Sequence, residues 1–193
     1  MINGKYWLFG LLCFLFCGVN LFAAKLVSVK SGDISVIKKP SISLLELDFS
    51  NTKVGDETLL EYQQRHGDDY VRDWPDAAEA TRFSFMEFFN KKNKKGMQFT
   101  PVTSEASYKM VIRVNYLNMG DSFSRFIAGG VTGFSGKAGG MLMKGSIDII
   151  DMRTNSVVCT IDIYGVKGAG NPSLQIRLQS AFNYLADNVR KLK

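Results

Sequence analysis

Residues 141–166 read Met-Leu-Met-Lys-Gly-Ser-Ile-Asp-Ile-Ile-Asp-Met-Arg-Thr-Asn-Ser-Val-Val-Cys-Thr-Ile-Asp-Ile-Tyr-Gly-Val. Two arms, Met141–Met152 and Ser156–Val166, flank Asp151-Met152-Arg153-Thr154-Asn155-Ser156. That centre is turn chemistry, because Asp, Asn and Ser side chains bond to nearby backbone and tolerate tight turns. Ile147 and Ile149 on one arm, and Cys159, Ile161 and Ile163 on the other, alternate with polar residues. A period of two puts them on one face of an antiparallel hairpin. The same period runs through Tyr108–Leu117, where Tyr108, Met110, Ile112, Val114 and Tyr116 share a face opposite Lys109, Arg113 and Asn115. It recurs in Ser41–Phe49, where Leu45, Leu47 and Phe49 alternate with Glu46 and Asp48.

Working outward, the period changes to helical. After Asn171-Pro172-Ser173, Leu174, Leu178, Ala181, Leu185, Val189 and Leu192 recur at three- and four-residue steps, an amphipathic stripe. Upstream, Asp73–Lys95 reads as a second long helix. Asp73 is its expected N-cap, Pro75 falls in its first turn, and Gly96 ends it. Ala77, Thr81, Phe85, Phe88 and Phe89 fall near one face, as core rather than cofactor site. Lys91-Lys92-Asn93-Lys94-Lys95 sits at its C-terminal end, where cations complement the helix dipole. Met97–Val102 reads as a short strand. Ser50–Arg72 reads as a long loop with a short helix near Asp56–Arg65, and Lys25–Pro40 as short strands on either side of a Ser31-Gly32-Asp33 turn. The expected fold class is α+β: a mixed, mostly antiparallel sheet with two long helices packed on one face.

The opening residues have the order of a secretory signal. Lys5 is the one cation of Met1–Lys5, Tyr6–Cys17 is an apolar run, and Gly18–Ala24 is small or apolar. The expectation is a signal peptide over 1–24, a mature chain starting near Lys25, and a single α+β envelope domain over 25–193. A retained membrane anchor is the alternative reading of the same stretch. Cys13 and Cys17 stand where a lipoprotein cysteine would, but Leu12 and Phe16 precede them where a small residue is wanted. Only Cys159 remains after cleavage, so no intramolecular disulfide can form, and Cys159 reads as a small buried hydrophobe.

The formal net charge of +6 is moderate, and the cations are spread along the chain. Basic and aromatic residues do not interleave on a strand face, which argues against a nucleic-acid partner. No catalytic residue, cofactor site or metal site is expected. His66 lies beside Asp68 and Asp69, but these crowd on a polar stretch without a second histidine. Asp148 and Asp151 read as exposed turn carboxylates. No Gly-x-Ser-x-Gly elbow exists. A hydrolase, with His66 as lone base, is therefore the last of three functional readings. The run Gly129-Gly130-Val131-Thr132-Gly133-Phe134-Ser135-Gly136-Lys137 is not a nucleotide loop. Val131 stands where the first glycine is required, Ala138 where the hydroxyl is, and a strand follows instead of a helix.

That glycine-rich run is nonetheless the expected interaction segment: Phe126, Ile127, Gly129, Gly130, Gly133, Phe134, Gly136 and Lys137. The leading reading is a non-enzymatic exported module that binds an envelope protein partner or a membrane surface. The second is a subunit of an oligomeric export or surface assembly that uses residues 128–140 at its interface.

Two resemblances bear on this. The stretches Ser31-Gly32-Asp33-Ile34-Ser35, Asp48-Phe49-Ser50-Asn51-Thr52-Lys53-Val54-Gly55 and Phe85-Met86-Glu87-Phe88-Phe89-Asn90 resemble a family of small secreted bacteroidetes-type proteins of unknown function. The second half joins the strand Tyr108–Leu117, the Arg-Phe-Ile and glycine-rich run Arg125–Gly140, the hairpin residues Asp151–Val158 and a terminal helix. It is similar to a domain of unknown function found in many bacterial lipoproteins. More distantly it resembles the curli-secretion lipoprotein and the amino-terminal domain of the translocation protein TolB. The resemblance implies an envelope location and supplies no catalytic residues.

Overall fold

The computed structural model describes residues 26–120, 140–170 and 173–193. The expected signal segment, with Cys13 and Cys17, lies outside the described residues. So do Phe126, Ile127, Gly129, Gly130, Gly133, Phe134, Gly136 and Lys137.

The elements follow in the order β1 (Val27–Gly32), a 3-10 turn (Ile34–Lys38), β2 (Ser41–Asp48), β3 (Lys53–Val54), β4 (Glu57–Thr58), α1 (Leu59–His66), α2 (Asp68–Lys92), β5 (Met97–Phe99), a second 3-10 turn (Thr103–Glu105), β6 (Tyr108–Asn118), β7 (Leu142–Asp151), β8 (Ser156–Lys167) and α3 (Leu174–Val189). The main sheet runs β1-β8-β7-β6-β2-β5. β6, β7, β8 and β1 pair antiparallel, while β2 pairs parallel with both β6 and β5. The class is α+β with a mixed, mostly antiparallel sheet.

The β7–β8 hairpin forms because its turn satisfies its own backbone. Asp151 Oδ1 accepts from the Arg153 and Thr154 amides at 2.8 and 3.2 Å. Asn155 takes the left-handed conformation, φ 53°, that asparagine tolerates better than most residues. Ile147, Ile149, Cys159, Ile161 and Ile163 are then buried together. Phe85 and Phe89 of α2, and Leu178, Phe182, Leu185 and Val189 of α3, are buried in the same cluster. Burial of each such side chain contributes on the order of 1.5–3 kcal/mol.

α2 and α3 lie side by side and run in the same direction. Gln179 donates to the Ala80 carbonyl at 3.3 Å, and Ser84 bonds with Asn183, the two contacts sharing one sequence offset.

The other face of the sheet carries charge. Lys109 pairs with Glu46 at 3.2 Å, and Arg113 with Asp48 at 3.7 Å and with Asp148. Thr160 donates to Asp148 at 2.8 Å. Within this polar surface Val111, in register with Glu46 and Asp148, is buried.

Several sequence expectations need correction. α2 begins at Asp68 and encloses Pro75, where a start at Asp73 was expected. Its cap is Gly67, φ 98°, which has no side chain to signal it. It ends at Lys92 with Asn93 as C-cap, before the expected Lys95–Gly96. Asn93 is needed there to donate to the Ile37 and Met97 carbonyls. The 50–72 stretch is more ordered than a loop: a β3–β4 pair precedes α1, whose start is set by a Thr58/Glu61 capping box and not by Asp56. The chain after the Ser31-Gly32-Asp33 turn is a 3-10 turn, with Asp33 as its N-cap, and not a strand. Tyr116 leaves the core face because a β-bulge between Val114 and Tyr116 shifts the register, so Leu117 is buried instead. Asp148 is no turn residue; it sits mid-strand in the ion pair with Arg113.

Candidate functional site at the base of the glycine-rich connection

The 121–139 connection leaves β6 and returns on β7, which pair up to Asn118 and Leu142. Its described flanks are anchored. Met119 and Met141 are both buried. The Met119 carbonyl accepts from Arg177 Nη1 at 2.8 Å, and the Met141 carbonyl accepts from the Gly168 amide at 2.8 Å. Both flanks thus rest on the junction where β8 passes into α3.

Glycine makes that junction possible. A Cβ on Gly168 would stand 2.8 Å from the Arg177 carbonyl oxygen and 2.9 Å from the Ala181 nitrogen. A Cβ on Gly140 would overlap the Gly168 carbonyl. The Ala169 amide donates to Ser180 Oγ at 2.9 Å, which ties the end of β8 to the helix.

Beside this junction is a cleft of about 630 Å³ lined by Leu26, Gly140, Gly165, Lys167, Gly168, Ala169 and Tyr184. Tyr184 is 47% exposed. A shallower depression of about 360 Å³ shares Lys167 and Tyr184 and adds Phe88, Ser180, Asn183 and Asp187. The surface offers the Lys167 ammonium, the Tyr184 phenol, the Phe88 ring, the Ser180 hydroxyl, the Asn183 amide, the Asp187 carboxylate and glycine backbone. These groups can hold a ligand by hydrogen bonds and stacking. Among the described residues that line the cleft, none pairs a nucleophile with a base, the geometry that covalent catalysis requires.

The other sequence candidates are dispersed. His66 ends α1, its Nδ1 donates to the Tyr62 carbonyl at 2.8 Å, and its ring lies 4.1 Å from that of Tyr62 and 5.4 Å from that of Tyr70. Among the described residues no three or more His, Cys, Asp or Glu side chains gather where they could hold a metal ion. Asp148 and Asp151 serve separate roles, in the Arg113 ion pair and in the hairpin turn. Cys159 is buried, and burial pushes its thiol up, with the Asp33 and Asp148 charges adding. Lys91 and Lys92 close the last turn of α2, and Lys94 and Lys95 are exposed. Among the described residues no helix is long and apolar enough to cross a membrane.

Sequence reasoning missed Arg177. It lies three residues after Leu174 and four before Ala181, inside the apolar stripe of α3, and is 6% exposed. A cation within an apolar helical stripe was the signal that could have found it.

No protein-family model matches the chain, and no curated protein matches it. Among solved structures, several are distantly similar to the chain. The PelC dodecamer from Paraburkholderia phytofirmans is 10% identical, over 86% of this chain and 97% of that chain, with a TM-score of 0.46. A point variant of that dodecamer is 11% identical, over 85% and 96%, with the same TM-score of 0.46. A neuraminyllactose-binding hemagglutinin homolog from Helicobacter pylori is 8% identical, over 84% and 87%, with a TM-score of 0.35.

Proposed function

We propose that this chain is an exported, non-enzymatic envelope module that binds or assembles with another envelope component, using the 121–139 connection as its contact element. One observation carries the reading. Adjacent antiparallel strands can be joined by a two-residue turn, yet here a much longer connection stands on a base held by Met119, Met141, Gly168 and Arg177. Long connections in compact domains are usually functional or disordered. The hydrogen-bonded base and the apolar Phe126, Ile127 and Phe134 favour function. The signal-like residues 1–24 and the resemblance to lipoprotein domains favour an envelope location. A second copy of the chain is the alternative partner, which makes the protein a subunit of an assembly.

The test replaces Phe126, Ile127 and Phe134 with Ser together. It measures the thermal midpoint, the solution mass, and association with an envelope extract and with anionic vesicles. Lost association or lost self-assembly at an unchanged midpoint supports the reading. A lower midpoint with association intact makes these residues core and overturns it.

A further inference from the structure

Arg177 carries a charge that the described residues do not balance. A guanidinium stays protonated at any ordinary pH, and a buried charge is normally paired. Arg177 is 6% exposed, yet none of the ion pairs among the described residues involves it. Its Nη1 donates to a neutral acceptor, the Met119 carbonyl, and its Nε is buried with no partner at all.

The second unpartnered buried polar atom among the described residues is the Tyr70 hydroxyl. It lies within electrostatic reach of both Arg177 and Tyr62 and forms no well-aligned hydrogen bond with either. Burial pushes the Tyr70 phenol up to about 12, with Tyr62 raising it further and Arg177 opposing. Tyr70 therefore keeps its proton and remains a donor. Two vacant donors, one on a full positive charge, meet with no anion among the described residues to accept from them.

We propose that Arg177 and Tyr70 form a site for a small oxyanion, a carboxylate or phosphate group, which supplies the counter-charge that the described residues do not. Guanidinium N–H groups match the spaced oxygens of such groups, and the phenol adds a donor from α2. Arg177 also holds the base of the 121–139 connection through the Met119 carbonyl, but an anion-dependent midpoint and partner association are separate readouts, so either reading can fail alone.

The test is thermal unfolding of the mature chain in inorganic phosphate, sodium acetate and sodium chloride at matched ionic strength. A ligand bound only by the native state raises the midpoint with the logarithm of its concentration above the dissociation constant. The expected result is a midpoint that rises with phosphate or acetate beyond the chloride control. The anion that acts identifies which oxyanion the site takes. Arg177→Gln should abolish the rise. Tyr70→Phe, which deletes one hydroxyl and keeps the ring, should move it to higher concentration and serves if the Arg177 variant does not fold. A wild-type midpoint that follows ionic strength alone overturns the proposal, as does an undiminished rise in Arg177→Gln.

Discussion

Gly145 on β7 lies against the carbonyl of Arg113 on β6, so close that a Cβ added to it would overlap that oxygen. A register shift adjoins it in each of its strand pairings, between Val114 and Tyr116 against β6 and between Met143 and Gly145 against β8. The absent side chain is what lets the three central strands stay paired through the bulges. Gly145→Ala must push backbone against backbone, and forcing extra atoms into a packed site typically costs about 1–3 kcal/mol. We expect the thermal midpoint to fall by about 2–4 °C per kcal/mol for a domain of this size. An unchanged midpoint would mean that the strands separate there without penalty.

Leu185 is fully buried on α3, in the same cluster as Phe85, Ile147 and Ile161. Leu185→Ala removes packed methyl groups and leaves a cavity, at a typical cost of about 2–5 kcal/mol. Calorimetry should show a clear drop in midpoint. Tyr184→Ala, one residue earlier and half-exposed in the cleft, should change stability little. Equal effects of the two changes would refute the burial of this stripe.

That stripe was legible because a helical period needs no partner to show itself. The hairpin was legible for the same reason, its turn residues adding a second signal. What escaped reading depended on contacts distant in sequence. The bulge that swaps Tyr116 for Leu117 leaves no mark on a period of two. The start of α2 escaped because Gly67 caps by conformation, while Asp73 and Pro75 imitate a start inside the helix. Asp148 looked like a turn residue because its partners, Arg113 and Thr160, come from other strands. The expected interaction segment was placed by composition alone; of the anchors beneath it, Gly168 is visible only in three dimensions, while Arg177 left one mark in the sequence, a cation inside an apolar stripe.

Acid should weaken the fold partly through Asp48. Its carboxylate accepts from the Ser50 hydroxyl at 2.6 Å and the Ser50 amide at 2.9 Å, and these bonds, with the Arg113 charge, hold it below the ordinary carboxylate range. A carboxyl depressed in the folded state contributes stability that is fully present above its unfolded value, roughly pH 3.9. The contribution is lost as pH falls through the lower folded value. Asp187, lowered by Lys191 and Arg190, acts in the same direction. Chemical denaturation between about pH 5 and pH 2 should show stability declining with acid, and Asp48→Asn should flatten the decline. A parallel curve for the variant would remove Asp48 from the account.

The 121–139 connection can be separated from the fold that carries it. β6 and β7 already pair up to Asn118 and Leu142, with Met119 and Met141 buried just beyond them. Replacing 121–139 with Asn-Gly, a sequence suited to a tight antiparallel turn, leaves these residues and their anchors in place. Shortening a loop also lowers the entropy cost of closing it, by about 0.6 kcal/mol per halving, so the midpoint should hold or rise. Gly168→Val, by contrast, forces a branched side chain against the backbone of Arg177 and Ala181 and should lower the midpoint while leaving 121–139 intact. If the connection is the contact element, the shortened chain loses its envelope partner or self-association and keeps its stability. If it fails to fold, residues 121–139 belong to the core, and the binding reading must move to the cleft of Lys167 and Tyr184.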